Sequence, residues 1–90
     1  MKFGLFVYCT IGRRSELENG MAGRQPELYQ RMLGKLAQLA VFAEDRGFFS
    51  FGHPEHHLQI EGFEISNDPC LMAMWLAKHT RKMRIVTCGF

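Results

Sequence analysis

The sequence predicts an α/β fold in which three strands alternate with two helices. Three observations support this class. Short aromatic or β-branched runs alternate with longer runs of helical spacing, two prolines stand where helices begin, and long polar segments follow the strands rather than the helices. Apolar residues make up 47% of the 90-residue chain and aromatic residues 12%, which is enough for one small core. We therefore expect residues 1–90 to form a single domain.

The first strand is predicted at the start of the chain. Lys2 to Tyr8, KFGLFVY, is almost wholly apolar and aromatic, which is typical of a strand buried on both faces. Residues 10–25 contain three glycines and mixed charges without periodicity, so this segment is predicted to be a long loop.

Two helices are predicted from their start signals. Pro26 stands at a first helical position, and Gly47 provides a natural stop. Between them, apolar residues recur at helical spacing and predict a buried stripe: Leu28, Met32, Leu36, Leu39 and Ala43, joined by Leu33, Ala40 and Phe42. Asp68 and Pro69 form an N-cap and first helical position. One side of the helix that follows is predicted to carry Leu71, Met72, Trp75, Leu76 and His79.

The second and third strands are predicted at residues 48–52 and 84–90. Right-handed crossovers would make all three strands parallel. The two strand-to-helix connections run to about fifteen residues, whereas the helix-to-strand connections take about two or three, against a usual two to six. Ligand sites of parallel α/β folds lie at the carboxyl ends of the strands, where these long connections emerge.

The segment FGHPEHHLQ, residues 51–59, stands at that end and raises three alternatives. A metal site needs three or four converging ligands, but an extended chain points His56 and His57 to opposite sides, so no metal site is expected. An acid-base site needs one imidazole and an orienting carboxylate, such as Glu55 or Asp68. A solvated, histidine-rich loop is the third alternative. The residue pattern alone leaves the last two open.

Composition argues against several other classes. The formal net charge is +2 with scattered basic residues, which argues against a nucleic-acid surface. No apolar run approaches the ~20 residues of a membrane span, and no cleavage site follows the apolar start of the chain. Cys9, Cys70 and Cys88 are widely spaced and odd in number, which favours a reduced, cytoplasmic protein. Cys9 and Cys88, at strand ends, are expected to be buried.

Three stretches resemble one known family. MKFGLFV at the start, AEDRGFFSFGHPEHH in the middle and RIVTCGF at the end are similar to the opening of the bacterial luciferase-like flavin monooxygenases. The resemblance implies a parallel βαβαβ portion of a TIM (β/α)8 barrel, truncated after the third strand. It runs along essentially the whole chain, and residues 9–24 are its least characteristic part.

The resemblance also implies roles for individual residues. His56 takes the place of the family's catalytic histidine, with Glu55 before it as in the motif, and His57 is the second, more structural histidine. The flavin is expected to contact the side chains or backbone of Phe6, Thr87, Cys88 and Gly89. The peptide bond between Cys88 and Gly89 corresponds to a bond that is often cis in the family.

The implied function is oxidation of an organic substrate, such as an aldehyde, by reduced flavin mononucleotide (FMN) and O2. One alternative is a deazaflavin-dependent oxidoreductase of the same superfamily. Another is a non-catalytic, self-associating fragment, because three strands leave two sheet edges unpaired. Unpaired edges also predict that the chain is a homo-oligomer. Because three strands supply only one sector of a barrel wall, the 90 residues alone are expected to be inactive.

Overall fold

The computed structural model describes residues 1–88, in which three parallel strands form one sheet in the order β1-β2-β3. The strands are β1 (Gly4–Phe6), β2 (Ser50–Pro54) and β3 (Arg84–Cys88). Leu5 pairs with Phe51, and Phe51 pairs with Ile85. The predicted α/β class and the parallel βαβαβ order are therefore confirmed.

The helices begin where the sequence signals predict. The short helix α1 (Arg14–Glu18) and a 3-10 turn (Ala22–Arg24) precede α2 (Pro26–Asp45), and α3 (Pro69–His79) follows β2. At the start of α3, the Asp68 carboxylate accepts a hydrogen bond of 3.0 Å from the Leu71 amide. No helix within residues 1–88 has the length and apolar character needed to cross a membrane.

Both long helices cover the same face of the sheet. Phe51, at the centre of β2, is fully buried with Leu36 and Ala40 of α2 and Leu76 of α3. Burying a side chain such as Phe51 or Leu76 stabilises the fold by about 1.5–3 kcal/mol. The other face is left open, and Phe6 and Val86 on it are 48% and 42% exposed. One covered and one open face is the arrangement of a (β/α)8 barrel wall, with its helices outside.

Connections differ in length at the two ends of the sheet, as predicted. Residues 7–25 and 55–68 lead from strands to helices, whereas only residues 46–49 and 80–83 lead from helices to strands. At the end of the sheet with the short connections, Glu44 of α2 binds the connection between α3 and β3. Its carboxylate accepts hydrogen bonds of 2.6 to 3.1 Å from the backbone of Arg81, Lys82 and Met83. These hydrogen bonds, the one from Lys82 foremost, lower the pKa of Glu44.

The prediction that residues 10–25 form an irregular loop is wrong. Helix α1 lies within them and is stabilised by two local hydrogen bonds. The Glu16 side chain accepts from the Arg13 backbone amide, and the Arg14 side chain pairs with that of Glu18, four residues later, at 2.8 Å. Arg31 of α2 donates to both oxygens of Glu16 and ties α1 to the domain. Its hydrogen bonds, followed by that from Arg13, lower the pKa of Glu16 to about 2.

Three smaller predictions also need correction. Strand β1 is shorter than predicted, and β2 lies two residues later, so it contains His53 and Pro54. Leu39 and Phe42 belong to the predicted buried stripe of α2, and Leu71 to the predicted apolar side of α3, but all three are exposed. Their helices contact the sheet along a narrower face than apolar spacing suggests, and the buried face of α2 includes Ala37 instead.

The shift of β2 places His53 inside the core. Its side chain is 0% exposed, and neither ring nitrogen has a hydrogen-bond partner among residues 1–88. His53 alternates with Gly52, so it lies with Phe51 on the helix-covered face. Burial lowers the pKa of His53 below its ordinary value of 6.5, and the nearby Pro54 backbone offsets this only in part. His53 is therefore a neutral core residue.

This burial predicts a loss of stability in acid. Below pH 6.5 the unfolded chain binds a proton at His53, whereas His53 of the folded chain stays neutral. The free energy of unfolding therefore falls by up to about 1.4 kcal/mol per pH unit until the pH reaches the lowered pKa of His53. We expect His53→Leu to flatten this dependence between pH 7.5 and pH 5 in urea titrations at fixed protein concentration. His79→Leu, at an exposed position on α3, should keep it. Equal pH dependence in the wild-type and His53→Leu chains would contradict this account.

Candidate functional site

The segment after β2 doubles back on the strand. The Glu55 amide donates to the Cys88 carbonyl at 3.1 Å, which extends the pairing with β3. His56 and Ser66 then form an antiparallel bridge, in which the His56 amide donates to the Ser66 carbonyl at 3.1 Å. The buried Ser66 hydroxyl donates to the Pro54 carbonyl. These contacts fix the backbone of His56 at the carboxyl end of β2.

The imidazole of His56 is held from both sides. Its Nε2 lies 3.2 Å from Oε2 of Glu64, and its Nδ1 lies 3.3 Å from Nε2 of Gln59. The His56 side chain is 37% exposed, whereas that of Glu64 is only 3% exposed. A buried carboxylate therefore stands behind a histidine that is accessible from one side, which is an arrangement suited to acid-base chemistry.

The carboxylate beside His56 is not one of the two that the sequence suggested. Glu55 pairs instead with His57, whose Nε2 lies 2.9 Å from Oε2 of Glu55 at an exposed position. Asp68 is used as the N-cap of α3. Of the two carboxylates that the sequence suggested, Glu55 thus orients His57, and the carboxylate beside His56 is Glu64.

Cys9 lies near Glu64 and Ser66 and is fully buried. Its backbone carbonyl accepts a hydrogen bond of 2.9 Å from the Ile65 amide. Burial and, to a lesser degree, the charge of Glu64 raise the pKa of the Cys9 thiol to about 11, although a hydrogen bond with Ser66 opposes them. The thiol is therefore protonated at neutral pH and is no nucleophile. Cys88, in contrast, is exposed, which corrects the expectation that it is buried.

A cavity of about 570 Å³ opens beside the histidines. Both His56 and His57 line it, so strand-like alternation does not separate them as the sequence suggested. Burial, followed by the proximity of Cys9 and Asp68, raises the pKa of Tyr29 in its wall. The other residues that line the cavity are Gly23, Arg24, Leu58, Gln59, Ile60, Ile65 and Asn67.

The open face of the sheet carries a second concave surface, a shallow cleft of about 260 Å³. Phe6, Gly52, Val86 and Cys88 line it. A methyl group on Gly52 would lie 3.1 Å from Cδ2 of Phe6, so glycine keeps this surface flat. Alternation places the Thr87 side chain on the opposite, helix-covered face with Ile85. The predicted contact at Gly89 and the bond between Cys88 and Gly89 lie outside the described residues.

Metal ligation finds no support in the part of the chain that the structure describes. Residues 1–88 contain no group of three histidine, cysteine or carboxylate side chains arranged to hold an ion. The dense run of histidines is dispersed in space, because His53 enters the core while His56 and His57 pair with different carboxylates.

The sheet order, the long connections at the carboxyl ends and the site beyond β2 agree with one family. The sequence model that describes the luciferase-like monooxygenases matches residues 1–90. The chain belongs to the luciferase-like monooxygenase family. Comparisons with curated proteins and with solved structures gave no match. Membership of this family assigns a monooxygenase-type function in general terms.

The sequence of this luciferase-like chain predicts His56 as a candidate site residue but gives little sign of its neighbours Glu64 and Gln59. Glu64 lies between Phe63 and Ile65, and this apolar setting is the only local signal that the carboxylate is buried. Gln59 lies three residues after His56 without any regular spacing that predicts a contact in a loop. Both contacts depend on the return of the loop at Ser66.

Proposed function

We propose that these 90 residues form the first sector of a flavin-dependent monooxygenase barrel, in which His56 performs acid-base chemistry. The enzyme uses reduced FMN and O2 to oxidise an organic substrate such as an aldehyde. The observation that carries this proposal is the contact of His56 with the buried Glu64 at the carboxyl end of β2, beside a cavity. The family match supports the same function.

The open face of the sheet fits one side of a flat aromatic cofactor. Gly52 leaves room that a side chain would fill, and Phe6, Val86 and Cys88 supply apolar and polarisable contact around it. Phe6 and Cys88 would lie against the isoalloxazine ring through their side chains, and Thr87 would contribute only its backbone. When bound, the flavin supplies the activation of O2.

The chain's own residues supply positioning and proton transfer. The imidazole of His56 accepts a proton from a reacting group in the cavity and later returns it, while Glu64 stabilises the charged form. Glu55 acts through His57, which it holds at the rim of the same cavity. Ile60 and Ile65 supply apolar wall for an organic substrate and exclude water from it. The unpaired Cys9, Cys70 and Cys88 suit a reducing, cytoplasmic setting.

The first test compares the two neighbouring histidines. In a (β/α)8 barrel that carries this sector, we expect His56→Ala to lower kcat at least ~100-fold, which is typical for a lost general acid or base. His57→Ala should cost far less, because its partner Glu55 is accessible to water. Both variants should bind FMN as the wild type does. Stopped-flow turnover and a flavin titration measure the two quantities, and equal losses of kcat in both variants would remove the assignment.

The second test concerns the 90-residue chain by itself. Eight strands close a (β/α)8 barrel, and three strands cover only one face of a flavin, so we expect the chain to bind FMN weakly and not to turn over. The outer edges of β1 and β3 and the apolar open face should recruit a second copy of the chain.

Sedimentation equilibrium and a fluorescence titration with FMN, both at micromolar concentration, measure association and binding. We expect a dimer or larger assembly without tight flavin binding. A stable monomer that binds FMN at micromolar affinity would contradict the expectation. The absorbance spectrum of any cofactor that copurifies with a complete barrel distinguishes FMN from a deazaflavin.

A further inference from the structure

Glu64 is a buried carboxylate whose presence the fold does not explain. Its side chain is 3% exposed, and its Oε1 has no hydrogen-bond partner among residues 1–88. Only Oε2 is used, at 3.2 Å from Nε2 of His56. A carboxylate withdrawn from water with one oxygen unpaired costs stability. An unpaired buried polar group of this kind calls for an explanation, and a catalytic role is one.

The two partners of His56 bear on which ring nitrogen carries the proton. As a carboxylate, Glu64 can only accept hydrogen bonds, so Nε2 of His56 donates in the contact of 3.2 Å. Nδ1 of the neutral ring is then an acceptor, and the Gln59 amide nitrogen can donate to it at 3.3 Å. One neutral form of the ring, with the hydrogen on Nε2, therefore satisfies both contacts.

The side-chain amide of Gln59 can also hydrogen-bond to the protonated form of His56. Its Oε1 is buried without a partner in the described residues, and the residue lines the cavity. If Nδ1 gains a proton, a half-turn of the amide presents Oε1 as the acceptor for the new N–H. The contact with Glu64 stays unchanged in both states of the ring.

We propose that Glu64 is a positioning residue that holds His56 through Nε2, so that Nδ1 is the atom that accepts and returns the proton, with Gln59 at Nδ1 in the resting state. The proposal rests on the proposed acid-base function of His56. In the forward step a proton passes from the reacting group to Nδ1 and forms the imidazolium, whose charge the Glu64 carboxylate balances. In the return step Nδ1 gives the proton back, and the neutral ring is restored.

The test that needs no cofactor observes the ring proton of His56 directly. In the 90-residue chain with ¹⁵N-labelled histidine, an Nε2–H that donates to a buried carboxylate exchanges slowly with water and gives a downfield NMR resonance. We expect this resonance in the wild type and its loss in Glu64→Leu. Glu64→Gln keeps an amide oxygen as acceptor and should retain the resonance at a less downfield position. Glu61→Leu, at an exposed position in the same loop, is the matched control and should not alter it.

Thermal unfolding separates positioning from a structural role. Glu64→Leu removes a buried carboxylate with one unpaired oxygen, and the 37% exposed His56 ring can donate to water instead. Its melting temperature should therefore equal or exceed that of the wild type. A wild-type chain without the resonance, or a Glu64→Leu chain that keeps it, would overturn the proposal. So would unfolding of Glu64→Gln, since that variant retains both the shape and an acceptor.

Turnover in a barrel that carries this sector provides the second readout. We expect kcat to fall about 10- to 100-fold in Glu64→Leu, the loss typical when the hydrogen-bond partner that orients a metal-bound histidine is removed, and less in Glu64→Gln. Loss of the resonance with full turnover in Glu64→Leu would refute the positioning role if His56→Ala is impaired. If His56→Ala is also fully active, the proposed function of His56 fails instead.

Discussion

Three backbone hydrogen bonds between the two long connections hold the functional end of this sheet together. The Ile11 amide donates to Gly62 at 2.9 Å, the Gly23 amide to Ile60 at 2.7 Å, and the Ile65 amide to Cys9 at 2.9 Å. The bridge between His56 and Ser66 anchors residues 55–68 to β2, and these three hydrogen bonds join the same residues to the first connection. Together they present Glu64 to His56 from a fixed backbone. The contact between Glu64 and His56 therefore depends on this joining of loops that are distant in sequence.

Two glycines make that close approach possible. A methyl group on Gly23 would lie 2.6 Å from the Ile60 carbonyl oxygen, so no larger residue fits there without a shift of the backbone. Gly62 adopts a φ of +99°, which L-residues with side chains rarely occupy. Glycines in the two long connections, which look irregular in the sequence, therefore have a structural role. They let one loop lie directly against the other.

The sequence predicts the fold well where a local chemical rule decides it. Pro26 and the Asp68-Pro69 pair begin helices at the expected residues, because caps and proline geometry act within one turn. The exact span of β2 is not local information. The aromatic run has the strand propensity to begin at residue 48 or at residue 50. Pairing with β3 selects Ser50–Pro54. Helix α1 escapes prediction because its ion pairs, rather than an apolar stripe, stabilise it.

The site is predictable only in part for the same reason. His56 follows from a short contiguous motif, whereas its partner Glu64 is brought to it by the bridge to Ser66 and by the hydrogen bonds between the loops. His53 belongs to the same histidine-rich segment but faces the core, which a shift of two residues in the strand decides. A motif thus predicts His56 as the candidate group, and the tertiary fold determines its electrostatic surroundings.

Amide hydrogen exchange can show whether the two connections form one preorganised unit around His56. Exchange measured by NMR at Ile11, Gly23 and Ile65 reports the three joining hydrogen bonds, and the Phe51 amide in β2 provides the reference for the core. We expect the amides of Ile11, Gly23 and Ile65 to be protected from exchange nearly as strongly as the Phe51 amide. Exchange at the rates of unstructured peptides, while Phe51 stays protected, would contradict this expectation.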